Sequence, residues 1–236
     1  MTRAPEVPAG TTPPREDRVW SGRALGYAVV LVLLGLSYWL CATQPDTTPS
    51  PWAFLAMLGT VGIVFAVTRA RALVQRTAWV VLSTAGAAAM LATFFVSSNL
   101  ALSVALSAAS MIALFVAPLA IIANQVTRRG LDLEALLAAV TAYILVGMFF
   151  AFVYNLLSLI TTTPLFGDAD ADSLGNQLFF SFTALTTTGY GNLVPVGPGV
   201  QAISIAESIT GQLFLITAVA RIMRGASTQR GMPTAG

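Results

Sequence analysis

Six long apolar stretches dominate the chain: Ala24–Ala42, Trp52–Thr68, Ala78–Val96, Leu100–Asn124, Ala135–Ile160 and Val200–Ala220. A bilayer core about 30 Å thick needs about 20 mostly apolar helical residues to cross it. Each stretch approaches or exceeds that length, and the first five contain no charged residue. The pattern predicts an all-α integral membrane protein with six transmembrane helices. The first four stretches are joined by Thr43–Pro51, by a turn around Arg71 and by only Ser97, Ser98 and Asn99. Links that short make antiparallel neighbours and one bundle. Small residues around Gly86, from Ala85 to Ala89, let backbones in the third stretch approach closely.

After the fifth stretch the pattern changes. Residues 161–173 are polar, with Pro164, Gly167, Asp168, Asp170 and Asp172. A semi-apolar run, Asn176–Thr186, follows, then a glycine-rich polar segment to Gly199 and the last apolar stretch. Eleven helical residues reach about 16 Å, half of the bilayer core. A half-crossing helix followed by extended polar backbone is a re-entrant element. Such backbone survives at membrane depth only when buried in protein or lining water. The element occurs once in the chain.

Composition agrees: 56 % of the 236 residues are hydrophobic and 9 % charged, against about a quarter charged in soluble domains. A net charge of +2 and a pI near 9.0 raise the question of a nucleic-acid partner. The placement of charge answers it. All basic residues are arginines, at 3, 15, 18 and 23, at 69, 71 and 76, at 128 and 129, and at 221, 224 and 230. With six spans every cluster falls on one membrane face. The positive-inside rule makes that face cytoplasmic, with both termini on it, in the plasma (inner) membrane. No nucleic-acid partner is expected. The first stretch is too long for a signal-peptide core and is read as retained. Residues 1–19, rich in Pro and Thr, are expected to be disordered. The lone Cys41 excludes an intrachain disulfide, and the absence of histidine excludes imidazole chemistry. The fourth stretch carries no arginine, so it is no voltage sensor of the usual kind. Its Pro118 is a candidate kink.

The most informative segment is Thr186-Thr187-Thr188-Gly189-Tyr190-Gly191-Asn192. A dehydrated cation needs a cage of oxygens in place of its water. Extended backbone supplies a column of carbonyls if alternate residues accept unusual dihedrals, as Gly189 and Gly191 can. Thr187 adds a hydroxyl, and Tyr190 points back to brace the loop. Over Ala135–Arg224 the sequence resembles the potassium channel pore-domain family, in the order outer helix, pore helix, filter, inner helix. Glu207-Ser208-Ile209-Thr210-Gly211-Gln212-Leu213 is similar to the inner helix of small bacterial members.

The resemblance implies four chains around one axis, K+ as the permeant ion coordinated at Thr187, Thr188, Gly189 and Tyr190, and no other cofactor. It also implies Gly211 as a gating hinge, twenty residues after Gly191. Three departures stand out. Thr188 replaces the family's commonest Val and needs a partner for its hydroxyl. Asn192 replaces Asp, and Thr183 stands where some members pair a Glu with that Asp. Phe179 and Phe180 replace tryptophans.

Electrostatics add four expectations. The pore helix aims a negative carbonyl end at a central cavity. Asp168, Asp170 and Asp172 either gather cations at the outer mouth or form a solvated turn. Glu207, the only charge inside a span, must be protonated, paired or wet. It is expected to bond Thr183 or Thr188 behind the filter, or else a neighbouring helix. Gln212 and Ser208 either line the cavity or bond between helices.

The expected organisation is a cytoplasmic N-terminus (1–22), a four-helix bundle (23–126), a pore domain (127–224) and a cytoplasmic tail (225–236) too short for a soluble ligand-binding domain. The expected function is a homotetrameric potassium channel in the lipid bilayer, with no catalysed reaction. A weakly selective cation channel and a membrane scaffold are the rivals. The lysine-free composition fits a GC-rich bacterial genome.

Overall fold

The computed structural model describes residues 22–43, 51–68, 100–126 and 133–230, and every regular element among them is helical. In chain order these are α1 (Gly22–Ala42), α2 (Pro51–Thr68), α3 (Leu100–Val126), α4 (Leu133–Ile160), a 3-10 turn (Ala169–Asp172), α5 (Leu174–Leu185) and α6 (Pro198–Arg230). Five of the six expected stretches coincide with helices. The other, Ala78–Val96, lies outside the described residues, as do Arg69, Arg71, Arg76, Arg128 and Arg129. Among the described residues four helices are long and apolar enough to cross a membrane: α1, α3, α4 and α6. α3 continues through Pro118, and α6 continues past Arg224, where a tail was expected, to Arg230.

α4 is the centre of the assembly, touching α1, α3, α5 and α6. Ala138, Ala142, Leu145, Met148, Phe152 and Asn155 recur every three or four residues, so they share one helix face, and all are buried. The apolar members meet Leu114, Ala117 and Ile121 of α3, Val30 and Leu34 of α1, and Leu174 and Leu178 of α5 in a single core. That core crosses the expected boundary at residue 126, so α1–α3 and α4–α5 share one interior. Where lipid offers no hydrophobic drive, polar pairs add specificity at about 0.6 kcal/mol each. Ser107 donates to Asn155 Oδ1 (2.8 Å) between α3 and α4, and Ser37 and Thr60 bond at 3.1 Å between α1 and α2.

α6 is the exception. It is the least buried of the four long helices. Within it Val200, Glu207 and Gly211 turn inward, while Ile205, Ile209, Leu213 and Ile216 are exposed.

Candidate functional site

α5 begins where the polar loop ends. Ser173 holds extended backbone and its hydroxyl accepts the Asn176 N–H, capping the first turn. The helix has 12 residues, about 18 Å at 1.5 Å per residue, too short to cross a bilayer. Neighbouring helices fix its position. A Cβ at Gly175 would come within 2.6 Å of the Ala42 carbonyl oxygen at the end of α1, and one at Gly147 of α4 within 2.8 Å of the Phe182 ring. Phe182 also meets Tyr38 of α1 edge-on, with centroids 5.4 Å apart at 88°. Such pairs contribute about 0.5–1.5 kcal/mol beyond their buried area.

The last four carbonyls of a helix have no partner inside it. In α5 all four find one. Phe182 O accepts the N–H and the hydroxyl of Thr186 (3.0 and 2.7 Å). Thr183 O accepts the N–H groups of Thr188 (2.8 Å) and Gly189 (3.2 Å), and Ala184 O accepts the Thr187 N–H and the Ser208 hydroxyl, both at 3.0 Å. Leu185 O accepts the Tyr143 hydroxyl at 3.2 Å. The loop, α4 and α6 cap this end, and the dipole acts through bonded carbonyls.

The loop that follows has φ of 58° at Thr187, 54° at Gly189 and 80° at Gly191, with no positive φ at Thr188 or Tyr190 between them. Backbone whose φ changes sign at every residue turns successive carbonyls to the same side, whereas a β-strand alternates them. Among the described residues Thr187 is the sole non-glycine with positive φ. For a β-branched residue that conformation costs about 1–3 kcal/mol and persists only when its surroundings impose it. The Thr187 N–H bond to Ala184 and a 3.3 Å bond from Gln212 Nε2 to Thr187 Oγ1 do so.

Tyr190 stacks on Phe179 of α5 (5.7 Å, 16°), so its ring turns back as expected. It is still 71 % exposed. A Cβ built at Gly189 or Gly191 would meet nothing within 4 Å. In a single chain the loop is bare on one side. Thr188 finds its partner in Thr186 Oγ1 at 2.8 Å, which in turn donates to Phe182 O. Asn192 is exposed.

The three acids divide. Asp168 and Asp170 are exposed, and Asp168 caps the 3-10 turn by accepting the Asp170 N–H at 3.2 Å. Asp172 is only 6 % exposed. Its carboxylate accepts the Leu165 N–H at 2.8 and 3.1 Å and the Phe166 N–H at 3.2 Å. It organises the loop from within and does not face the solvent as an outer-mouth acid. Asp172→Ala leaves two inward N–H groups without an acceptor, and bonds to a charged group are worth about 1.5–3 kcal/mol. A clear fall in melting temperature in detergent is expected, with Asp172→Asn intermediate. An unchanged melting temperature for both variants would refute this role.

Glu207 is fully buried, and its partners are neither Thr183 nor Thr188. The Ser181 hydroxyl of α5 lies 2.5 Å from Oε1 and the Tyr154 hydroxyl of α4 2.8 Å from Oε2. Thr183 bonds its own helix at Phe180 O instead. Gly211, one turn on, packs so closely on α5 that a Cβ would collide with the Leu185 carbonyl oxygen. Sequence reasoning did not single out Tyr143, Gly147, Tyr154 or Ser181. The available signal was Gln177 and Ser181, two polar residues one turn apart in a short apolar helix, both buried.

Residues 139–226 match the family model described as "Ion channel", which takes in most of α4, all of α5, the loop and most of α6. Residues 139–226 belong to the ion-channel family. A comparison with curated proteins finds no match. An ion-channel domain lets ions pass down their gradient and has no bond to make or break. Within this one, α4 and α6 are long and apolar enough to cross a membrane, and the short α5 with its loop lies between them in the chain.

Proposed function

We propose that the chain is one subunit of a homotetrameric, potassium-selective channel whose filter is Thr187-Thr188-Gly189-Tyr190-Gly191. The observation that carries this reading is the alternation of φ at 187, 189 and 191 on a loop directly following a half-length helix. Carbonyls of Thr187, Thr188, Gly189 and Tyr190 on one side replace the hydration shell of K+, and the Thr187 hydroxyl adds an oxygen. Thr186 and Asn192 flank the column. A single chain supplies one wall of such a cage, and cyclic symmetry closes the rest. The bare side of the loop and the exposed Ile205, Ile209, Leu213 and Ile216 of α6 favour this assembly. Asp168 and Asp170, repeated around the ring, concentrate cations at the outer mouth. Six spans place both termini in the cytoplasm of a bacterial inner membrane, with the arginine clusters on that side.

The test is the reversal potential of the purified protein in a planar bilayer with K+ on one side and Na+ on the other. The expected value is close to the K+ equilibrium potential. A value near zero would assign a weakly selective cation channel instead. Native mass spectrometry should give four chains per particle, and a monomer would return the chain to the scaffold reading.

A further inference from the structure

Three helices meet at Glu207, and their protons can be counted. The Ser181 oxygen lies 2.7 Å from Gly147 O as well as 2.5 Å from Glu207 Oε1. A serine hydroxyl has one proton to give, a carbonyl only accepts, and an ionised carboxylate only accepts. With Glu207 ionised, two acceptors face one proton, and one of these short contacts is oxygen against oxygen with nothing between. With a proton on Oε1 every contact becomes a hydrogen bond. Glu207 donates to Ser181, Ser181 donates to Gly147 O, and Tyr154 donates to Oε2 (2.8 Å).

Charge supports the same state. The chain contains no lysine or histidine, and no arginine lies between Arg129 and Arg221. An ionised acid here would be buried with no cation from its own three helices near it in sequence, a costly arrangement within a membrane.

The site's place in the fold gives the proton a purpose. Glu207 and Gly211 lie one turn apart on the face of α6 that grips α5. Ser208 bonds Ala184 O (3.0 Å) and Gln212 bonds Thr187 (3.3 Å) beside them. We propose that Glu207 is a neutral carboxylic acid whose proton ties the inner helix through Ser181 to α4 and so positions the re-entrant helix. Glu207 is a positioning residue that touches no ion. Its link to current rests on the conduction reading above, whereas its protonation does not.

The experiment is infrared spectroscopy of the full-length protein in liposomes, alongside melting temperature and K+ current. The parent should show a protonated-carboxyl band that Glu207→Gln removes. Tyr154→Phe, which strips a donor from Oε2, should move that band to higher frequency and so identifies it independently. A glutamine amide can donate to Ser181 and accept from Tyr154, so Glu207→Gln should keep the parent's melting temperature and current. Glu207→Ala and Ser181→Ala should lose both, with current down at least about tenfold, equivalent to ~1.4 kcal/mol. Absence of the band in the parent, or its persistence unshifted in both Glu207→Gln and Tyr154→Phe, would overturn the proposal. So would a Glu207→Gln protein that melts as low as Glu207→Ala. Because the band and the melting temperatures need no current, a non-selective pore would refute the conduction reading and leave this one standing.

Discussion

Gly189→Ala is expected to abolish discrimination between K+ and Na+, moving the reversal potential from near the K+ equilibrium value to near zero. The cause is conformational. Gly189 sits at φ 54°, where a side chain costs about 1–2 kcal/mol relative to the right-handed region. Nothing within 4 Å opposes a Cβ there, so in one chain the variant strains without clashing. In the proposed tetramer the cost is repeated to about 4–8 kcal/mol per ring, and each loop relieves it by turning a carbonyl out of line. A loss of only ~1.4 kcal/mol in preference for K+ is already tenfold. Gly199→Ala is the control. Gly199 also has open space around a Cβ but lies in the first turn of α6 without positive φ, and its selectivity should equal the parent's. Unchanged selectivity in Gly189→Ala would remove this loop as the filter.

Gly211→Ala separates two roles for one glycine. As a hinge, the residue matters for bending, and alanine should stiffen α6 by about 1 kcal/mol of helix propensity. Gating would then shift while assembly improved. The geometry gives the opposite sign. A Cβ at 211 collides with the Leu185 carbonyl, and overpacking a tight contact costs about 1–3 kcal/mol. The displacement also pulls Ser208 from Ala184 O and Gln212 from Thr187. The steric cost and the two lost bonds together outweigh the gain in propensity. The expected result is a tetramer with a lowered melting temperature and most of its current lost. A variant of parental stability whose single-channel record differs only in open time would favour the hinge.

The helices were legible because hydrophobic length is a one-dimensional signal, and the observed ones begin and end within two residues of most of the expected stretches. α6 is the exception at its C-terminal end. The loop was legible through its glycines, since Gly189 and Gly191 announce positive φ. Thr187 did not announce it. No β-branched residue advertises a left-handed conformation, and only the caps on Ala184 and Thr187 impose it. Glu207 was recognised as an acid needing partners, but the partners lie 26 and 53 residues away on other helices. Three-dimensional register decides such pairings, and threonines nearer the loop were the natural candidates. Asp172 was grouped with Asp168 and Asp170 by spacing alone. A turn that curls one carboxylate inward looks the same in sequence as one that leaves it outside.

The contact between α1 and α5 bears on how the molecule is made. Tyr38 and Ala42 meet Phe182 and Gly175, partners separated by more than half the chain. On the reading proposed above, α1 enters the membrane long before α5 exists, and its seat for α5 waits unfilled until the intervening helices have been translated. A truncated product ending before α6 would also lack the caps from Ser208 and Gln212. If the loop is the permeation path proposed above, its completion is tied to α6 meeting elements laid down by α1, and chains that end before α6 are left without a pore through which ion gradients could drain.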